Sequence, residues 1–493
     1  MLTLLAALVA AAAPAAHAAP VSGEYIVQFA PGEVSSAEAR RVVVEHVGGT
    51  VTRDVRLINA VGAELTAAQV AALRADAAVT VVSRNGAVKP SAVTFDASKL
   101  ATAFNQSAQT PDVWPASTGK GVGVAVIDTG ISDASPDFRV SQADASSRVI
   151  ARAALNPNAT NPEDGYGHGT LVAGILAGNS GYRAAGDPLR GRYSGAAPDA
   201  DLVSVKIADD EGNATVLDAI NGIQFAVDYK AELGIRIINL SFEANDPQSY
   251  KTDPLDAAVE AAWFSGIVVV AAAGNRGTKA NAVGYAPGND PYAITVGAVD
   301  DQATKTTKDD QIATWSSHGT TQDGFAKPEL YAPGAHIVAN LAPGSAFSTL
   351  CPSCIRDGSY IQAGGTSLAA PIVAGVAALI LQVHPDWTPN MVKGALVNTT
   401  RGIGAGAREL VAPSAVDART REQTYNAGLT PNPLTDPATG AINYAKASWT
   451  KASWTKASWT KASWTCVCTS GAGGIDPTKA SWTKASWSTD WTK

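Results

Sequence analysis

Charge is sparse in this chain. Only 16% of its 493 residues are Asp, Glu, Lys or Arg, and the net charge is −7. So mild an imbalance over such a length offers no basic surface to a phosphate backbone and argues against a nucleic-acid partner. Long apolar runs are also missing beyond the first twenty residues. Nothing later supplies the roughly 20 consecutive apolar residues that a bilayer demands. Leu368–Val383 comes nearest and reads as a buried central helix, so no membrane span is expected. Cysteines number four, in two close pairs, Cys351/Cys354 and Cys466/Cys468. Four cysteines allow three pairings. A bridge within the first pair stiffens the approach to Ser367, whereas cross-links between the pairs pin the tail to the body. A zinc site from both pairs is a third alternative. The N-terminal stretch lacks Lys and Arg altogether, yet Met1–Pro20 is almost all Ala, Leu and Val and ends in Ala16-His17-Ala18. That small-x-small ending reads as a secretory signal peptide over residues 1–18, with an alanine-rich helix as the alternative. A secreted, extracellular and soluble protein is expected, and export favours disulfides over thiols.

What is plentiful is apolar surface. Hydrophobic residues make up 46% of the chain, enough for a large core, and the length suggests about two to four units. The first, within residues 19–95, alternates at Glu24–Phe29 like a strand. Helical spacing follows from Ser35 to Gly48 behind Ser-Ser-Ala-Glu, a capping-box pattern. Val61–Leu65 reads as a strand, Thr66 caps a helix through Arg74, and Val79–Ser83 reads as a third strand. The result is a small α+β unit with no evident catalytic group. After a looser stretch, Gly121–Asp128 opens a different region. Near-continuous apolar runs at Leu202–Ile207, Ile235–Leu240, Ile267–Ala273 and Ala293–Val299 alternate with helical segments. Strands apolar on both faces predict an α/β fold over 96–413, with a mostly parallel sheet covered by helices on both faces. Residues 414–445, with Pro431, Pro433 and Pro437, read as a linker, and 446–493 as a tail.

Four motifs in the α/β region carry chemistry. Val124–Ile131 is an apolar strand ending in Asp128, at the carboxyl edge where open parallel sheets gather their sites. Asp164-Gly-Tyr-Gly-His168-Gly-Thr-Leu171 puts a histidine among glycines at the start of a helix. Gly364-Gly365-Thr366-Ser367-Leu368 puts a serine at a helix N-terminus, where unpaired N–H groups favour developing negative charge. Ala271–Asn275 follows a buried strand, and its terminal amide can donate to an oxyanion alongside the Ser367 N–H. Asp128, His168 and Ser367 are the residue types of Ser–His–Asp acyl transfer. No Gly-x-Ser-x-Gly elbow surrounds Ser367, so an esterase lacks support.

These four motifs, in the order Asp, His, Ser, resemble the subtilisin-family serine proteases (subtilases) over about residues 110–412. The resemblance implies a subtilisin-like fold and a serine endopeptidase acting on protein or peptide substrates. Ser367 would be the nucleophile, His168 base then acid, Asp128 its orienting partner and Asn275 the oxyanion donor. No cofactor is required for catalysis. The resemblance extends to EYIVQF and LINAVGAELTAAQVAALRADAAVTVVSRN, which look like an inhibitory propeptide of ferredoxin-like fold. That implies a zymogen whose own propeptide is a partner, cut within about residues 85–110. Structural calcium also becomes plausible, because Asp137 in Ser-Pro-Asp-Phe stands at a ligand position of some members. The usual partner loop is replaced here by the insertion Asn179–Gly195, so the metal ligands stay open. Leu171 stands where members often carry a second, structural histidine. Glu243 stands where glycine is usual, on the strand that edges the primary specificity pocket. A carboxylate there either favours basic groups near the scissile bond or is a solvated rim charge.

The tail is a repeat. Lys-Ala-Ser-Trp-Thr occurs four times in tandem over Lys446–Thr465 and returns at Lys479–Thr483. The tail holds seven of the eleven tryptophans, and its seven lysines face only Asp476 and Asp490. A period of five suits neither a strand face nor a helix stripe. Aromatics interleaved with cations suit a cell envelope or a polysaccharide matrix, and a dispensable low-complexity tail is the plainer alternative. If the tail carries the function, the chain is instead a surface-binding protein.

Overall fold

The structure is a computed structural model. It describes residues 22–30, 34–90, 103–419, 424–432, 435 and 465–466. The expected signal peptide and nearly all of the repeat tail, with Cys468, lie outside the described residues.

The first unit follows the order βαββαβ, the split arrangement of ferredoxin-like folds. Strand Ser22–Phe29 lies between Ala60–Thr66 and Val79–Arg84, with Thr50–Val55 outside Ala60–Thr66, all antiparallel. Helix Ala37–His46 starts where Ser36 Oγ accepts from the Ala39 N–H, and helix Ala67–Arg74 starts at a Thr66/Gln69 capping box. Val27, Phe29, Val44, Val61, Leu65 and Leu73 form its core. Thr50–Val55 is the strand that sequence periodicity does not reveal. It is half-buried at the sheet edge, and Thr, Arg and Asp break its apolar pattern.

The second unit is built on seven parallel strands. Their spatial order is Val149–Ala154, Asp201–Lys206, Gly123–Asp128, Ile235–Leu240, Val268–Ala272, Ile294–Asp300 and Leu330–Pro333. Successive residues Val124, Ala125, Val126 and Ile127 are all fully shielded, so both faces of the sheet are covered. Helices Thr366–Val383 and His168–Ala177 pack together against it, and Val216–Asp228 and Pro254–Phe264 form another pair. At one edge Thr465–Cys466 pairs antiparallel with Ala153–Ala154. The segment expected as a linker is packed down where it is described. Tyr250 Oη donates to the Thr430 carbonyl at 2.8 Å, and the Asn432 N–H donates to Glu260 Oε2 at 2.6 Å. Of the cysteine pairings, the structure joins Cys351 to Cys354.

The first unit docks on the second through helix Val216–Asp228. Arg56 reaches both oxygens of Asp228 at 2.9 Å, Arg53 meets Asp218 at 3.2 Å, and the Leu57 N–H donates to Gln224 Oε1 at 3.2 Å. The chain then runs on as strand Ala87–Pro90. This strand inserts antiparallel between Phe242–Ala244 and Ala214–Thr215.

The helix Thr366–Val383 is central to the packing, and Leu379 on it is fully buried. Leu379→Ala is expected to lower stability by about 2–5 kcal/mol, read as the shift in a denaturant unfolding curve.

Candidate active site

Asp128 is the last residue of its strand, so its side chain emerges at the carboxyl edge of the sheet. His168 opens a helix whose N-cap is Gly167, at φ +109°. A Cβ on Gly167 would fall 2.7 Å from Ser345 Oγ and 2.9 Å from Phe347 Cβ, so only glycine fits this turn. The two side chains meet, with His168 Nδ1 2.8 Å from Asp128 Oδ1. The Thr129 N–H donates to the same Asp128 oxygen at 2.8 Å and fixes the carboxylate. Phe347 stands edge-on to the imidazole, with ring centroids 6.2 Å apart. Both side chains are buried, and His168 Nε2 has no hydrogen-bond partner among the described residues. A ring held by a carboxylate on one nitrogen, with the other nitrogen unengaged, is arranged to accept a proton.

Ser367 occupies the first turn of its helix, behind Gly364 and Gly365. Ser241 Oγ donates to the Ser367 carbonyl at 2.8 Å and itself accepts from Asn239 Nδ2 at 2.9 Å. Asn239 on strand Ile235–Leu240 and Ser241 just after it thereby fasten the serine turn. Asn275 is fastened to the same turn, because its Oδ1 accepts from the Thr366 N–H and hydroxyl, each at 3.0 Å. That contact fixes the amide plane and directs the NH2 arm away from Thr366. The structure therefore pairs Asp128 with His168, and Asn275 with the turn that carries Ser367.

One residue of this site was visible in the sequence without a role. Asp164 is buried, and its Oδ1 accepts from the Gly167 N–H at 2.7 Å and from Thr129 Oγ1 at 2.8 Å. Its Oδ2 accepts from the Thr170 N–H at 2.7 Å and the Thr170 hydroxyl at 2.6 Å. Thr129 Oγ1 in turn accepts from the Gly169 N–H at 2.9 Å. Burial pushes the Asp164 carboxyl above the usual range, against the pull of these donors. Its sequence signal was an aspartate four residues ahead of a helix start.

Glu243 is not a bare carboxylate. Its Oε1 lies 3.0 Å from Arg276 Nη2, and burial raises its pKa against the opposing pull of Arg276. Leu171 is fully buried core.

The calcium expectation at Asp137 does not fit the structure. Asp137 is fully buried, and three donors converge on its carboxylate. Arg183 Nε reaches Oδ1 at 2.7 Å, while Tyr360 Oη and Asn340 Nδ2 reach Oδ2 at 2.6 and 3.0 Å. Calcium takes six to eight oxygen acceptors, whereas these neighbours donate. Among the described residues, no group of three or more His, Cys, Asp or Glu side chains is placed to hold a metal. Arg183 comes from the insertion Asn179–Gly195 and lies over the Tyr360 ring at 5.4 Å.

Known proteins show what the chain is similar to. The sequence model of the Subtilase family matches residues 119–435. The serine protease AprX of Bacillus subtilis is 40% identical over 288 residues, covering 57% of this chain and 62% of AprX. Subtilisin E of the same species is 33% identical over 400 residues, covering 80% of this chain and 89% of that protein. The crystal structure of fervidolysin from Fervidobacterium pennivorans, a keratinolytic enzyme related to subtilisin, superposes with a TM-score of 0.61 at 22% identity, covering 81% of this chain and 61% of that one. The chain thus spans about three fifths of AprX and of fervidolysin, and nine tenths of subtilisin E.

Two substitutions check the supports of the site. Asp164→Ala strands several buried donors and is expected to cost about 3 kcal/mol or more, with a drop in kcat that Asp164→Asn only partly reverses. Arg183→Ala leaves the Asp137 carboxylate buried beside neutral donors alone, and should lower stability by about 3–5 kcal/mol. Thermal unfolding of each variant beside the unmodified chain reads both effects.

Proposed function

The chain belongs to the subtilase family of serine proteases, and on that premise we propose that it is a secreted serine endopeptidase made as a zymogen. The observation that carries the reading is the 2.8 Å contact of His168 Nδ1 with Asp128 Oδ1, beside a helix whose first turn holds Ser367. Ser367 Oγ attacks the substrate carbonyl and passes its proton to His168 Nε2. Asp128 stabilises the imidazolium that forms. The oxyanion is met by the Asn275 amide and the Ser367 N–H. The imidazolium then protonates the leaving amine, and water releases the acyl group by the same route in reverse.

Protein or peptide substrates are supported by the way an extended segment already lies in the groove. Ala87–Pro90 adds itself as a strand between Phe242–Ala244 and Ala214–Thr215, and main-chain pairing of this kind is how extended peptides dock. Val88 is buried there near Phe242 and Ala214. In this reading residues 19–95 form the propeptide, which blocks the groove until it is cut. Pro90, the last described residue of that strand, pairs with Phe242, and Phe242 adjoins Ser241, which is bonded to Ser367. The self-cleaved bond is therefore expected shortly after Pro90, within the stretch of about residues 85–110. For the tail, the fivefold alternation of Trp and Lys supports contact with a cell envelope or polysaccharide.

The deciding experiment expresses residues 19–493 as wild type and as Ser367→Ala. Wild type should lose its N-terminal part and begin shortly after Pro90 by N-terminal sequencing, while the variant stays whole. Cutting of both at one place would assign processing to another protease. In the processed enzyme, Asn275→Ala is expected to lower kcat about 100- to 1,000-fold with KM changed far less. Deletion of 446–493 should spare peptide hydrolysis and weaken retention on insoluble polysaccharide; equal retention would remove the tail proposal.

A further inference from the structure

Glu243 occupies a place where its volume matters as much as its charge. It lies between Phe242 and Ala244, which are buried, so it points from the opposite face of the strand. That strand pairs with the extended segment in the groove and follows Ser241, which is fastened to Ser367. Against the Glu243 side chain runs Gly274-Asn275-Arg276. Gly274 has φ +93°, and the Glu243 carboxylate stands where a Cβ on it would lie. Arg276 completes the bridge with its Nη2 3.0 Å from Glu243 Oε1. The arginine is braced in turn. Its guanidinium lies 3.8 Å over the Tyr285 ring, and its N–H donates to Ser317 Oγ at 2.9 Å. One ion pair therefore joins the wall that pairs with substrate backbone to the wall that carries the oxyanion donor.

We infer that the Glu243–Arg276 pair fills the pocket beside the scissile bond, so that the residue on the acyl side of that bond is held to small, uncharged side chains. The inference rests on the proteolytic reading above. A large aromatic side chain entering between the walls would collide with the carboxylate. A lysine there would compete with Arg276 for a carboxylate already engaged. An acidic side chain would meet Glu243 as a like charge. The pair is mutually neutral and its carboxylate is only 17% exposed, so it supplies no unpaired charge for recognition. The expectation that Glu243 favours basic groups gives way to exclusion by volume.

The test uses the full chain and internally quenched peptides that differ only at that residue, carrying Ala, Ser, Phe, Lys or Glu. Wild type should favour Ala and Ser over Phe by about tenfold or more in kcat/KM, the scale of hydrophobic-pocket discrimination. Glu243→Gly, or Glu243→Ala should the glycine variant accumulate poorly, is expected to raise the Phe-to-Ala ratio about tenfold or more. Glu243→Gln keeps the volume without the charge and should keep the wild-type ratio. A wild-type preference for Lys that both Gly and Gln variants abolish would overturn the inference in favour of charge recognition. Unchanged ratios in the Gly and Ala variants would overturn it outright. Hydrolysis that survives Ser367→Ala would remove the proteolytic reading and this inference with it.

Discussion

The contact between Asp128 and His168 depends on one buried carboxylate that belongs to neither residue. Asp164 binds the loop after strand Gly123–Asp128, through Thr129, and the first turn of helix His168–Ala177, through Gly167 and Thr170. Asp128 and His168 belong to those two elements, so their 2.8 Å contact is only as well placed as this clamp. A single hydrogen bond between two side chains is weak against the freedom of two separate chain segments. Four donors on one shielded carboxylate remove that freedom before substrate arrives. Rigid support of this kind is what preorganised electrostatic catalysis requires.

The same economy appears on the serine side. Thr366 bonds Asn275 on one flank, Ser241 bonds the Ser367 carbonyl on the other, and Gly274 N donates to Thr366 Oγ1 at 3.1 Å. Two strand ends and one helix start are tied into a single turn. Buried strands such as Val268–Ala272 anchor each contributor, so the site inherits the stiffness of the sheet. The Glu243–Arg276 ion pair sits beside this turn without bonding to Thr366 or Ser367 in any contact described above.

Much of this was legible in the sequence, for reasons that differ by element. Ile235–Leu240 was readable to the residue, because a central parallel strand is apolar on both faces. Asp128 and Ser367 were readable because each ends or begins an element with an unmistakable local pattern. Thr50–Val55 was not, since an edge strand exposes enough polar residues to lose its period. Asp164 and the Arg183–Asp137 pair were hidden for another reason. Thr129 lies 35 residues from Asp164, and Asp137 lies 46 residues from Arg183, so no local window holds both members. Likewise the Glu243–Arg276 contact spans 33 residues, which is why the sequence suggested an unpaired acid.

The strand Ala87–Pro90 has a consequence for concentration. While the backbone beyond Pro90 is continuous, the strand is tethered to the groove it fills, and its occupancy is the same at any dilution. If, as proposed, that backbone is cut, the tethered segment becomes a ligand. Its hold then rests on the dissociation constant of the whole first unit, set by Arg56, Arg53, Leu57 and the inserted strand, against its free concentration. A crowded compartment keeps the severed unit in place, and release into a large volume lets it go. Under the proposed processing, dilution itself would be the step that opens the groove.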